Sequence, residues 1–118
     1  MEPVITTIAA AVALGAAESL KDVAAAAVKD SYNALKKLIH DRYGKNEDVT
    51  AAVDYVAKKP EAAPRRQMLE AALKDAGADK DQELAQGAEK LLAAVEQHSP
   101  EAAAGIGMDI GMLKAALA

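Results

Sequence analysis

Pro3-Val4-Ile5-Thr6-Thr7-Ile8-Ala9-Ala10-Ala11-Val12-Ala13-Leu14-Gly15-Ala16-Ala17 carries no charge and lies between Glu2 and Glu18. A surface helix of a soluble protein sets an apolar stripe against a polar face, whereas a helix apolar all round is enclosed by protein or placed in lipid. The stretch is therefore the axis around which the rest of the chain is read. At ~1.5 Å per residue its about 15 residues reach ~22 Å, short of the ~30 Å hydrocarbon core, so a conventional lone span is not expected. Its Ala-rich end imitates a signal-peptide cleavage region, but Met1-Glu2-Pro3 is acidic where such a leader is basic.

Working outward, the helical pattern continues past Glu18. Leu20, Val23, Ala24, Ala27, Val28, Ser31, Leu35, Leu38, Ile39 and Arg42 fall at spacings of three and four, with most charges off that stripe. This predicts a long amphipathic second helix closed by Gly44 as a left-handed stop, with Gly15 as the joint to the first segment or as a close-packing site. A third helix starts at the cap Asn46 and buries Val49, Ala52, Val53 and Val56. A fourth starts at Pro64 and places Met68, Leu69, Ala72, Leu73 and Ala76 on one face, with Gly77 as its stop. A fifth opens at Asp79-Lys80-Asp81-Gln82 and buries Leu84, Ala88, Leu91, Leu92 and Val95 before Ser99-Pro100. The expectation is an all-α bundle of four to five helices over residues 1–99, its apolar N-terminal helix running into a long amphipathic second. Residues 100–118, punctuated by Gly105, Gly107 and Gly111, read as a Gly/Ala-rich linker or tail.

Composition agrees with a slim helical bundle. Of 118 residues, 52% are hydrophobic but only 3% aromatic, with no Phe, Trp or Cys, so the core is built from Ala, Leu, Val, Ile and Met. The absence of Cys excludes disulfides, thiol nucleophiles and zinc–thiolate sites. A net charge of -4 and the lack of a basic stripe interleaved with aromatics argue against nucleic acid as a partner.

Chemistry has little to work with. His40 and His98 are the only histidines, and neither sits in a motif that activates a nucleophile. The glycines at 105, 107 and 111 do not have phosphate-loop spacing. Asp75, Asp79, Asp81 and Glu83 lack the alternating ligand pattern of a calcium loop and read as helix caps. No catalytic residue, cofactor or metal is therefore expected, and the chain does not read as an enzyme. Lys36, Lys37 and Arg42, with Arg65 and Arg66 at the next corner, could meet anionic headgroups, or could form a solvated face balanced by Asp41 and Glu70.

Several stretches together carry a resemblance: Gly15-Ala16-Ala17; Ala27-Val28-Lys29-Asp30-Ser31-Tyr32-Asn33-Ala34-Leu35-Lys36-Lys37-Leu38-Ile39; and Ala76-Gly77-Ala78-Asp79-Lys80-Asp81 with Leu91-Leu92. In this order, over about residues 2 to 98, they resemble the bacterial Bell domain, an analogue of the fungal HeLo and HeLo-like cell-death domains. The resemblance implies a helical bundle whose apolar N-terminal helix disrupts membranes once a C-terminal prion-like motif is templated by an NLR-type receptor. No complete Gly-Asn-rich amyloid motif is present up to Ala118, which implies either the effector part alone or a different trigger.

The leading functional expectation is a membrane-targeting cell-death effector activated by oligomerisation. It would be cytoplasmic at rest and at the inner face of the plasma membrane when active. Val4, Ile5, Ile8, Val12 and Leu14 would enter lipid, Gly15 would act as hinge, and Lys36, Lys37 and Arg42 would make weak headgroup contacts. The alternative is a non-lytic helical adaptor for homotypic or receptor contacts.

Overall fold

Pro3–Ser19 forms the first helix, α1, in the computed structural model, which describes residues 3–19, 21 and 25–117. Among the described residues the chain is all-helical. It continues through α2 (Ala26–Tyr43), α3 (Glu47–Lys58), α4 (Ala63–Asp75), a 3-10 turn (Ala78–Lys80), α5 (Gln82–His98), α6 (Ala102–Gly105) and α7 (Ile110–Leu117). The other helices surround α1, which packs against all six of them. Ile5, Ile8, Ala9, Ala10, Ala11, Val12, Ala13 and Leu14 are completely buried. A helix with no polar face is stable in water only when every side is covered, and this topology covers it.

Local signals explain the peripheral helices. The Asn46 side chain accepts from the Asp48 and Val49 amides, opening α3, whose Val49, Ala52, Val53 and Val56 are buried. Pro64 stands in the first turn of α4, where its missing amide hydrogen costs nothing. Gly77 ends that helix at φ +79°, a left-handed conformation that glycine adopts without a Cβ penalty. Asp81 caps α5 by accepting from the Leu84 amide at 3.1 Å, and Leu84, Ala88, Leu91, Leu92 and Val95 are buried as the periodicity requires.

Several expectations are corrected. The second helix begins at Ala26, not Leu20, and the break follows Ser19; Leu20, Asp22, Val23 and Ala24 lie outside the described residues. Its buried stripe is Val28, Tyr32, Leu35 and Ile39. Gly44 is right-handed (φ -61°, ψ -23°), and what calls for glycine there is the closeness of the His40 carbonyl. Among the described residues seven α-helices replace four to five, because residues 102–117 do not leave the bundle. They form α6 and α7, burying Ala103 and Leu113, with α7 laid against α1 and α5 and held by the Lys114–Glu96 ion pair at 2.8 Å. On α4, Met68 is exposed while Arg66 and Glu70 are buried, because those two side chains meet the Thr6 hydroxyl of α1 and the Ile106 carbonyl just after α6.

Candidate functional site

The first helix is the candidate site, and its chemistry is that of a buried apolar segment. Of the five residues expected to enter lipid, Ile5, Ile8, Val12 and Leu14 are fully buried and Val4 is half-buried. Ile5, Ile8, Val12 and Leu14 thus offer no surface to solvent, and Val4 offers only part of one. Among the described residues no helix is long and apolar enough to cross a membrane.

Polar contacts lie at both ends of α1. Near its start, the Thr6 hydroxyl donates to Glu70 Oε1 of α4 at 2.7 Å. Thr6 and Glu70 are 64 positions apart in sequence, and Glu70 is buried. A carboxylate beside the first turn of a helix also lies at the favourable end of its dipole. At the other end Glu18 is buried, and Lys21 Nζ approaches Glu18 Oε2 at 2.8 Å. That contact, above all the hydrogen bond to Glu18, raises the Lys21 pKa. Arg66 ties the loops around α1 together, donating to the carbonyls of Pro60 and Ile106 at 3.3 and 3.4 Å. Sequence reasoning places neither Glu70 nor Arg66 in the interior. The signal is nevertheless present, since Arg66, Leu69, Glu70 and Leu73 follow the i, i+3, i+4, i+7 pattern of one helix face.

A test of the Thr6–Glu70 link is a double-mutant cycle. Thr6→Val and Glu70→Gln should show a coupling of about 1 kcal/mol in urea unfolding, as for a partly buried bond to a carboxylate. Additive effects would show that the two side chains do not act together.

Gly15 lies inside α1, and the helix runs through it to Ser19. A Cβ at this position would meet the Tyr32 ring and would approach Leu91 Cδ2 to 2.8 Å. The glycine lets α2 and α5 come close to α1.

The three basic residues expected at headgroups are on α2 but are already engaged. Lys36 stands over the Tyr32 ring at 5.2 Å, and Lys37 pairs with Asp41 at 3.4 Å across one exposed turn. Arg42 meets Asp81 at 3.2 Å and Glu83 at 2.6 Å. Tyr43 adds a hydroxyl bond to Asp81 Oδ2 at 2.9 Å, so the cap of α5 also clasps the end of α2. Burial, then the hydrogen bond to Asp81, pushes the Tyr43 pKa from 10.0 up to about 12. Burial also raises the pKa of Tyr32.

These shifts give a pH prediction. The folded state favours the neutral phenol, so the stabilisation is complete below pH 10 and is lost as pH rises towards about 12. Tyr43→Phe should reduce the fall in stability across that window; an unchanged alkaline unfolding profile would count against the clasp.

The two histidines do not assemble a site. Both are exposed, and among the described residues no group of three potential metal ligands occurs.

No match was found among curated proteins or among solved structures. A family model described as the Het-E N-terminal domain matches residues 1–110. That match takes in α1 to α6 and reaches the start of α7. The chain therefore belongs to the Het-E N-terminal domain family, a HeLo-like family linked to cell death.

Proposed function

We propose that the protein is a membrane-targeting cell-death effector of the Bell type that stores α1 at rest and releases it on assembly. The observation that carries this reading is the charge-free stretch 3–17 of α1, fully buried from Ile8 to Leu14, in a domain of a cell-death family. In lipid, Ile5, Ile8, Val12 and Leu14 exchange a protein core for hydrocarbon, and several short helices together thin or perforate the bilayer. Release breaks the Thr6–Glu70 bond and opens the contacts around Gly15. The protein is then cytoplasmic at rest and acts at the inner face of the plasma membrane. Its trigger is a receptor or a templated amyloid motif that clusters copies, and no catalytic chemistry is assigned to it.

The test uses the whole chain, because deleting α1 removes the centre of the core. Clustered protein, brought together by a fused inducible dimeriser, should release dye from anionic liposomes. An environment-sensitive fluorophore on Val4→Cys, the only cysteine in that variant, should report entry into lipid. Lack of leakage under clustering, or leakage with α1 amides still protected from hydrogen exchange, overturns release. Clustering-dependent binding without leakage would instead favour the non-lytic adaptor.

A further inference from the structure

The outer face of the α3–α4 hairpin carries two of the three exposed large apolar side chains among the described residues, Tyr55 at 43% and Met68 at 42% exposure. The helices are antiparallel, so residues at i, i+3 and i+7 of α3 (Asp48, Ala51, Tyr55) run beside Asp75, Ala71, Met68 and Arg65 of α4. Asp48 and Asp75 line one recess with Ala51, Met68 and Ala71. At the far end the Arg65 guanidinium stacks on the Tyr55 ring at 3.8 Å and donates to the Tyr55 carbonyl at 2.8 Å.

This face therefore has an acidic end, an apolar middle and a cationic end. Among the described residues no salt bridge neutralises Asp48, Asp75 or Arg65. Asp75 also sits at the C-terminal end of α4, where the helix dipole disfavours an anion, so helix stability does not account for it. Tyr, Met and Arg are residue types enriched where proteins meet.

We propose that this face docks on the same face of a second copy about a two-fold axis. Such an interface must be self-complementary. Turning the hairpin end for end sets Asp48 and Asp75 of each copy against Arg65 of the other and places Met68 and Tyr55 in the covered middle. An anionic bilayer would be repelled by the acidic end, and a partner of one charge sign would satisfy only half of the pattern. The surface supplies an assembly step for the effector reading, and rests on that reading only for what the dimer is for.

Sedimentation equilibrium over a concentration series, without lipid, tests it. The wild type should associate towards twice the 12.2 kDa chain mass. Arg65→Glu alone, and Asp48→Lys with Asp75→Lys, should each weaken dimerisation by roughly tenfold or more, because both ends of the symmetric pair then repel. An equimolar mixture should recover the dimer, since the carboxylate introduced at position 65 then faces the introduced lysines, and the native acids face the native Arg65. Met68→Asp, at an exposed position, should abolish association with the helical circular dichroism unchanged. A wild type monomeric throughout, variants that associate as the wild type does, or a mixture no more dimeric than its parts overturns the surface. Because no membrane is involved, those failures leave the release of α1 standing, whereas a dimer that never leaks dye when clustered does the reverse.

Discussion

Ile8→Ala should cost about 2–5 kcal/mol of folding stability, the range for truncating a fully buried aliphatic side chain. The upper half of that range applies because α1 is ringed by six other helices, so no flexible surface element can settle into the cavity. Against a typical total of about 5–15 kcal/mol, the loss brings the unfolding midpoint in urea down sharply. Met112→Ala, at 74% exposure, is the matched control and should stay within about ±0.5 kcal/mol. A cost at Ile8 no larger than that at Met112 would mean that α1 is not docked in solution. The same substitution bears on the stored-segment reading. It weakens the resting bundle yet leaves the segment free of charge, so clustered Ile8→Ala should leak liposomes at lower protein concentration than the wild type. If α1 serves only as the core, the substitution lowers activity along with stability.

The parts of this fold that local rules decide were legible. Asn46 as a cap, the four buried residues of α3, Gly77 as a left-handed stop and the five buried residues read for α5 all follow from side-chain spacing and capping chemistry. What spacing could not reveal depends on partners far along the chain. Glu70 reads as a surface acid until Thr6, 64 positions away, is brought against it, and Met68 reads as core until that same face of α4 proves to bury Arg66 and Glu70. The C-terminal segment is a different case. Ala103, Ile106, Ile110, Leu113 and Leu117 follow spacings of three and four, and each is buried or packed on the core. Three glycines between them made the segment read as a linker, although glycine only lowers helix stability by ~1 kcal/mol and does not forbid a short helix that gains tertiary contacts.

The candidate site divides along the same line. That the first segment had to be covered, by protein or by lipid, followed from its lack of a polar face. How it is held did not, because the Thr6–Glu70 bond pairs α1 with a residue 64 positions away, and Arg66 joins the Pro60 and Ile106 carbonyls from distant parts of the chain. The basic residues of α2 illustrate the cost of reading charge one helix at a time. Arg42 looks available for an anion until Asp81 and Glu83, which open α5, are placed beside it.

Gly15→Ala should destabilise the protein by about 1–2 kcal/mol, and the sign is what makes it informative. In the interior of a helix, Gly→Ala ordinarily gains ~1 kcal/mol from backbone propensity. A glycine kept only as a hinge in an otherwise continuous helix would show that gain. Here the new methyl group enters space held by the Tyr32 ring and by Leu91 Cδ2 at 2.8 Å, and both side chains are buried. Overpacking of this kind costs about 1–3 kcal/mol, and the bulkier side chain of Gly15→Val should raise the cost further. Leu91→Ala separates clash from backbone effects. On its own it leaves a cavity worth about 2–5 kcal/mol, but in that background Gly15→Ala finds room and should become neutral or stabilising. Equal effects of Gly15→Ala in both backgrounds would sink the packing account. The functional corollary runs in the direction opposite to a hinge. A hinge glycine replaced by alanine should make release harder, whereas a strained α1 should leave the bundle more readily, so clustered Gly15→Ala is expected to release liposome dye at lower protein concentration than the wild type.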